Sequence, residues 1–282
     1  MSTSIRSFQR LTMFIAALAA TSIASSSLAA TTTVLNFGDG GWTNGDTRDS
    51  GGINAGPAGR LDLDQTPPTP GPTGRNALRL LTDSSSSKAT IHQTGLNLGA
   101  IADFSGSYNW YKIQTGAPAP AFRLGIDTTD SNPGSSRPGE AAFDKFLVYE
   151  PYDNPNSGDP GAGVWKTQSF DLNNGDWWLV DRTLGNAQVN TPHNSLTLQG
   201  WLNDPTYGAL LTNGTIVSTQ IGQGSGNANL TSFVDFASYT YGSGAGTTEN
   251  YYFGVPEPST LALGGLASLG LAAVNRRRRS AC

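Results

Sequence analysis

The 282 residues hold 17 Lys and Arg against 21 Asp and Glu, only 13% charged in all, with 35 Gly, 16 Pro and a single Cys. So low a charge excludes a coiled coil or helical bundle, whose exposed faces are written in Lys, Glu and Arg. One Cys excludes an internal disulfide, and no Cys/His cluster has zinc spacing, so stability must come from burial and backbone pairing. At the N-terminus Arg6 and Arg10 precede the apolar run Leu11 to Ala20 and the small residues Ser27-Leu28-Ala29-Ala30. This order predicts a secretory signal peptide over residues 1–30, cleaved after Ala29 or Ala30, with an apolar run too short to span a bilayer unaided.

The mature domain is read as residues 31–254. Its hydrophobic pattern has period two, the mark of half-buried strands. Phe104, Gly106, Tyr108 and Trp110 share one face, and Phe122, Leu124 and Ile126 share another. Leu196, Leu198 and Leu202 read as a further strand. Other runs are Thr33 to Phe37, Ala77 to Thr82, Lys88 to Gln93, Lys145 to Glu150, Val164 to Phe170, Asp176 to Val180, Thr215 to Ile221 and Ser232 to Tyr239. Asn, Gly, Asp and Pro turn chemistry separates them. Gly38 to Arg75 and Thr128 to Ala142 read as surface loops, and Tyr239 to Glu249, with Gly242-Ser243-Gly244-Ala245-Gly246, as a flexible spacer. With no long helical periodicity, the expected fold class is all-β, an antiparallel β-sandwich or jelly roll.

Residues able to carry chemistry are sparse between the two ends. Asp127 and Asp130 offer close oxygen ligands as a weak calcium candidate, without the distal bidentate Glu of a full loop, and Asp62 and Asp64 are weaker. Glycoside hydrolysis needs a pair of carboxylates, yet the domain's Glu residues are Glu140, Glu150 and Glu249, with no closely spaced strand signature. His92 and His193 lie far apart and in no nucleophile or metal motif. Trp177, Trp178, Trp201 and Tyr111 could stack on a sugar face. Alternation turns Trp201 and Tyr111 away from their apolar faces, and Trp177 and Trp178 must divide between the two faces.

The C-terminus reads Val255-Pro256-Glu257-Pro258-Ser259, then an uncharged run from Thr260 to Val274, then Arg276, Arg277, Arg278 and Arg279. The prolines hold the segment extended and remove backbone donors. The run is just short of the usual spanning length, and the arginines orient it with the tail in the cytoplasm. Six of the 17 basic residues, but only Glu257 of the 21 acidic ones, lie in the two ends. The domain between them therefore carries 11 basic and 20 acidic residues, a net charge near −9. That balance argues against nucleic acid and anionic lipid as partners.

The order of Val255-Pro256-Glu257-Pro258, apolar span and arginine cluster resembles the PEP-CTERM sorting signal of Gram-negative bacteria. The resemblance implies that exosortase, an integral-membrane cysteine transpeptidase-like enzyme, recognises the motif and removes the tail during export. The chain would then be anchored transiently in the inner membrane and later stand at the cell surface or outside, in a bacterium that makes exopolysaccharide. The domain is similar in pattern to the concanavalin-like or carbohydrate-binding jelly rolls that such proteins often carry. Ser280-Ala281-Cys282 extend past the arginines, a departure from the pattern, and Cys282 reads as inert, with lipidation the alternative. The expected function is a non-enzymatic, cofactor-free surface protein, structural or carbohydrate-binding and associated with exopolysaccharide. The alternatives are a secreted glycan-active enzyme and a simple tail-anchored surface protein.

Overall fold

The computed structural model describes residues 29–45, 59–84, 87–115, 119–129, 142–154, 161–189, 196–224 and 229–255. The signal-peptide body, Pro256, Glu257, Pro258, the expected spanning run and Arg276 to Arg279 lie outside the described residues, as do Asp130, Glu140 and His193. Among the described residues no helix is long and apolar enough to cross a membrane.

Fourteen strands account for about half of the described chain. They are β1 (Ala30–Thr33), β2 (Trp42–Asn44), β3 (Gly59–Gln65), β4 (Ala77–Thr82), β5 (Lys88–Thr94), β6 (Ser105–Lys112) and β7 (Ala121–Asp127), followed by β8 (Lys145–Tyr149), β9 (Lys166–Phe170), β10 (Trp177–Asp181), β11 (Ala187–Gln188), β12 (Thr215–Gly224), β13 (Leu230–Tyr241) and β14 (Thr247–Tyr252). Two short helices, α1 (Leu198–Leu202) and α2 (Gly208–Asn213), precede β12.

The strands form two sheets of seven among the described residues. One runs β11-β10-β8-β7-β12-β5-β2 with every pairing antiparallel. The other is organised by the long strand β13, which pairs with β6 along one side. Along its other side it takes β4 with its first half and β14 with its second, so that β4 and β14 lie end to end. β3 extends beyond β4, β9 beyond β6 and β1 beyond β14.

Aromatic side chains join the two sheets. Phe122 of β7 meets Phe170 of β9 at 4.9 Å and Tyr108 of β6 at 5.7 Å between ring centroids, and Phe170 also meets Trp177 of β10 at 5.0 Å. Nearby, Trp42 stands edge-on to Tyr251 and Phe253. Phe122, Trp42, Trp177 and Phe253 are wholly buried, and each such side chain contributes roughly 1.5–3 kcal/mol of transfer free energy. Gly106 makes room for this contact, because a Cβ there would sit 2.6 Å from the Phe170 ring.

The all-β sandwich agrees with the sequence reading, but several elements differ. The strand expected over Leu196 to Leu202 is a single bridge, Leu196 to Trp177, followed by α1. Thr197 caps this helix by accepting the Gly200 N–H at 3.0 Å, and Leu198 and Trp201 share its buried face. The expected spacer from Tyr239 to Glu249 is the β13–β14 hairpin, with Tyr239 paired to Glu249. Strand β1 ends at Thr33, so it shares only that residue with the run expected over Thr33 to Phe37, and it pairs in parallel with β14, an exception to the antiparallel expectation.

The long loop Gly38 to Arg75 contains β2 and β3, and its Pro-rich part packs on the outer face of a sheet. There the Trp165 indole donates to the Thr69 carbonyl at 2.8 Å, and Thr73 donates through its amide and hydroxyl to Asp235.

Phe170→Ala removes the ring that touches both sheets and should lower stability by about 3–5 kcal/mol. Urea unfolding of the mature domain checks this, and a loss under 1 kcal/mol contradicts the assignment of Phe170 to the centre of the core.

Candidate functional site

The described chain ends where the expected sorting motif starts. After β14 the backbone turns in at Phe253, whose N–H donates to the Asp235 carbonyl at 3.1 Å and whose ring is wholly buried. Gly254 then passes against the start of β4, where a Cβ would lie 2.5 Å from the Asn76 backbone, so only glycine fits this approach. Val255 donates its N–H to Asp64 Oδ1 at 3.0 Å, and its carbonyl accepts the Asn76 N–H at 3.0 Å. Arg75 donates to the Gly254 carbonyl at 3.4 Å and to Thr33 Oγ1 at 3.5 Å, with its guanidinium 4.4 Å over the Tyr252 ring. These hydrogen bonds and the cation–π contact together let Arg75 tie β1, β14 and the exit.

The four aromatics proposed for sugar stacking do not form a platform. Trp177 is wholly buried. Trp201 is 2% exposed, on α1 rather than on a strand, with its indole donating to the Trp177 carbonyl at 2.8 Å. Tyr111 is 5% exposed because Trp165 and Phe233 cover the outer face of the sheet. Alternation is right for β6, but that outer face is roofed, which alternation cannot register. Trp178 alone of the four keeps partial exposure, on the face opposite Trp177. Asp127 closes an Asx turn by accepting the Thr129 N–H at 2.9 Å. Among the described residues no group of three His, Cys, Asp or Glu could hold a metal.

Of the carboxylates, Glu150 follows β8 and is half-buried. Glu249 lies in β14, not in a spacer, and accepts from two tyrosine hydroxyls, Tyr241 at 2.8 Å and Tyr251 in a short contact, with the Tyr239 oxygen 3.4 Å away. Burial first, then the bond to Glu249, pushes the Tyr251 phenol up to about 12. Burial likewise raises Tyr239, which donates to Gln93 of the opposite sheet at 2.7 Å. These hydroxyls therefore stay protonated, and those of Tyr241 and Tyr251 occupy the Glu249 oxygens.

Sequence reasoning missed a buried charge cluster. Lys145 Nζ lies 2.8 Å from Asp144 Oδ2 and 3.3 Å from Asp181 Oδ1, with the Lys145 and Asp144 side chains fully buried. Asp144 also accepts from the Thr128 amide and hydroxyl, and Asp181 from those of Thr183. Burial opposes the charge on Lys145, but the two carboxylates outweigh it and hold the ammonium above its ordinary range. Burial likewise opposes Asp181, and Thr183 with Lys145 outweighs it, so its pKa falls below the ordinary Asp value. The only sequence signal was two aspartates placed within or beside otherwise apolar strands.

Residues 254–279 match the PEP-CTERM protein-sorting motif, and of these Gly254 and Val255 are described. No curated protein matches the chain.

The buried cluster has a defined pH window. A depressed Asp181 contributes stability above the ordinary Asp range, which is lost as pH falls through its folded value. A raised Lys145 contributes below the ordinary Lys range, which is lost as pH rises through its folded value. Lys145→Met strands two buried carboxylates and should cost about 3–5 kcal/mol at pH 7. The cost should shrink near pH 4, where the stranded carboxylates take up protons. Urea unfolding at both pH values checks this, and a loss under 1 kcal/mol at pH 7 contradicts it.

Proposed function

Taking as premise that this chain carries the PEP-CTERM protein-sorting motif, a signal for export and for exosortase, we propose that its mature domain is a non-catalytic surface component. In this reading it is a jelly-roll sandwich in a Gram-negative cell, structural or carbohydrate-binding and associated with exopolysaccharide. The observation that carries the reading is the continuity of sheet and signal: β14 ends at Tyr252 and the matched motif begins at Gly254. The acidic domain suits an extracellular surface, since net charge keeps exported protein soluble.

Support for a non-catalytic role comes from the Glu249 carboxylate, whose oxygens are engaged by the Tyr241 and Tyr251 hydroxyls. Carbohydrate contact would fall to the part-exposed Trp178 and the exposed Tyr152, because an amphipathic ring can pack on a pyranose face.

Glu257→Ala is expected to leave an unprocessed precursor in the membrane fraction, read by immunoblot. Product of normal size in that variant means the tail is a simple anchor. For the mature domain, retention on the producer's exopolysaccharide above an unfolded control supports the binding form of the proposal. No retention removes that form and leaves a structural role, and depolymerisation of the polysaccharide overturns the non-catalytic reading.

A further inference from the structure

The exit is held by a device that begins almost two hundred residues earlier in the chain. On β3 the register with β4 slips between Asp62 and Gln65, and inside this bulge Asp64 adopts φ 55°. A non-glycine residue enters the left-handed region at a cost, Asp more readily than most, and such positions persist only where the surroundings hold them. Here the bulge, which bends a strand and re-aims a side chain, turns the Asp64 carboxylate to Val255. The same oxygen accepts the Asn76 side-chain amide at 3.1 Å. Asn76 in turn supplies the N–H that takes the Val255 carbonyl, and Arg75 takes the Gly254 carbonyl. The domain thus occupies both backbone groups of Val255 while leaving its side chain 37% exposed.

We propose that Asp64, Arg75 and Asn76 form a clasp that positions the sorting motif, so that exosortase reads Pro256 onward against the folded rim of the domain. This rests on the exosortase reading above. Val255, the second residue of the matched motif, is itself held against the β3–β4 rim. An enzyme that binds Pro256, Glu257 and Pro258 therefore meets the β3–β4 rim as well. A partner that pairs with the peptide backbone must begin beyond Val255, whose donor and acceptor are already used. Because the fold holds the start of the motif, the enzyme avoids part of the cost of ordering a free chain. The three side chains are positioning residues for tail removal, and an unfolded domain presents the same motif without them.

The test uses the full chain in its producing cell, following precursor and processed product after a pulse label. Asp64→Ala removes the acceptor, and tail removal should slow roughly fivefold or more, the scale of one or two lost hydrogen bonds. Asp64→Asn keeps an acceptor oxygen and tolerates the left-handed backbone, so it should process as the parent does. Inserting Gly-Ser-Gly-Ser after Val255 leaves every clasp contact in place but separates the motif from the rim. This variant should be slow while the sandwich stays as protease-resistant as the parent. Parental or faster rates in both Asp64→Ala and the insertion overturn the clasp. Glu257→Ala separates the two claims: blocked processing there beside parental rates in the clasp variants fells the clasp alone, whereas normal processing in Glu257→Ala fells the exosortase reading and the clasp with it.

Discussion

Parallel pairing of Ala30–Thr33 with Glu249–Tyr252 closes the domain with its own two ends. The first and last strands of the sandwich are thus neighbours, and the matched sorting motif, which begins two residues after β14, is not joined to the fold by a free linker. Arg75 reinforces the closure by reaching Thr33, the Tyr252 ring and the Gly254 carbonyl at once. An outermost strand of four residues is short, which limits the unpaired backbone that a sheet edge offers to other chains. The sorting motif therefore starts at a structured end.

Behind this edge the sandwich uses two kinds of glue. Apolar rings centred on Phe170 supply non-directional burial, and polar contacts set which strands face each other. Gln93 of one sheet takes hydrogen bonds from Tyr239 of the other and from Thr219 beside it. The Asp144, Lys145 and Asp181 group does the same within its own sheet, where breaking one partner leaves buried charge uncompensated. A chain without disulfides meets the outside of the cell with these contacts alone.

Strand-rich architecture was legible from alternation. Ala77 to Thr82 coincides with β4, and the face shared by Phe104, Tyr108 and Trp110 is the buried one. Leu196 to Leu202 misled because Leu198, Trp201 and Leu202 fit a helical spacing as well as an alternating one, and the Thr197 cap decides between them. Tyr239 to Glu249 misled because its glycines read as slack, whereas Gly242, Gly244 and Gly246 supply the positive φ of a tight hairpin. The exposure of Tyr111 could not be read locally, since a loop some forty residues earlier and Trp165 some fifty residues later build its roof. Of the exit, Val255 and the motif were legible. Asp64, Arg75 and Asn76 were not, because their role depends on β4 and β14 meeting end to end along β13.

The folded sandwich runs directly into the sorting motif, which begins two residues after the end of β14. The most direct measurement is the intact mass, with both terminal sequences, of the protein recovered from the outside of the producing cell. The expected product begins at Ala30 or Thr31, contains β14 and lacks Arg276 to Arg279. A surface form that still carries the four arginines contradicts removal of the tail.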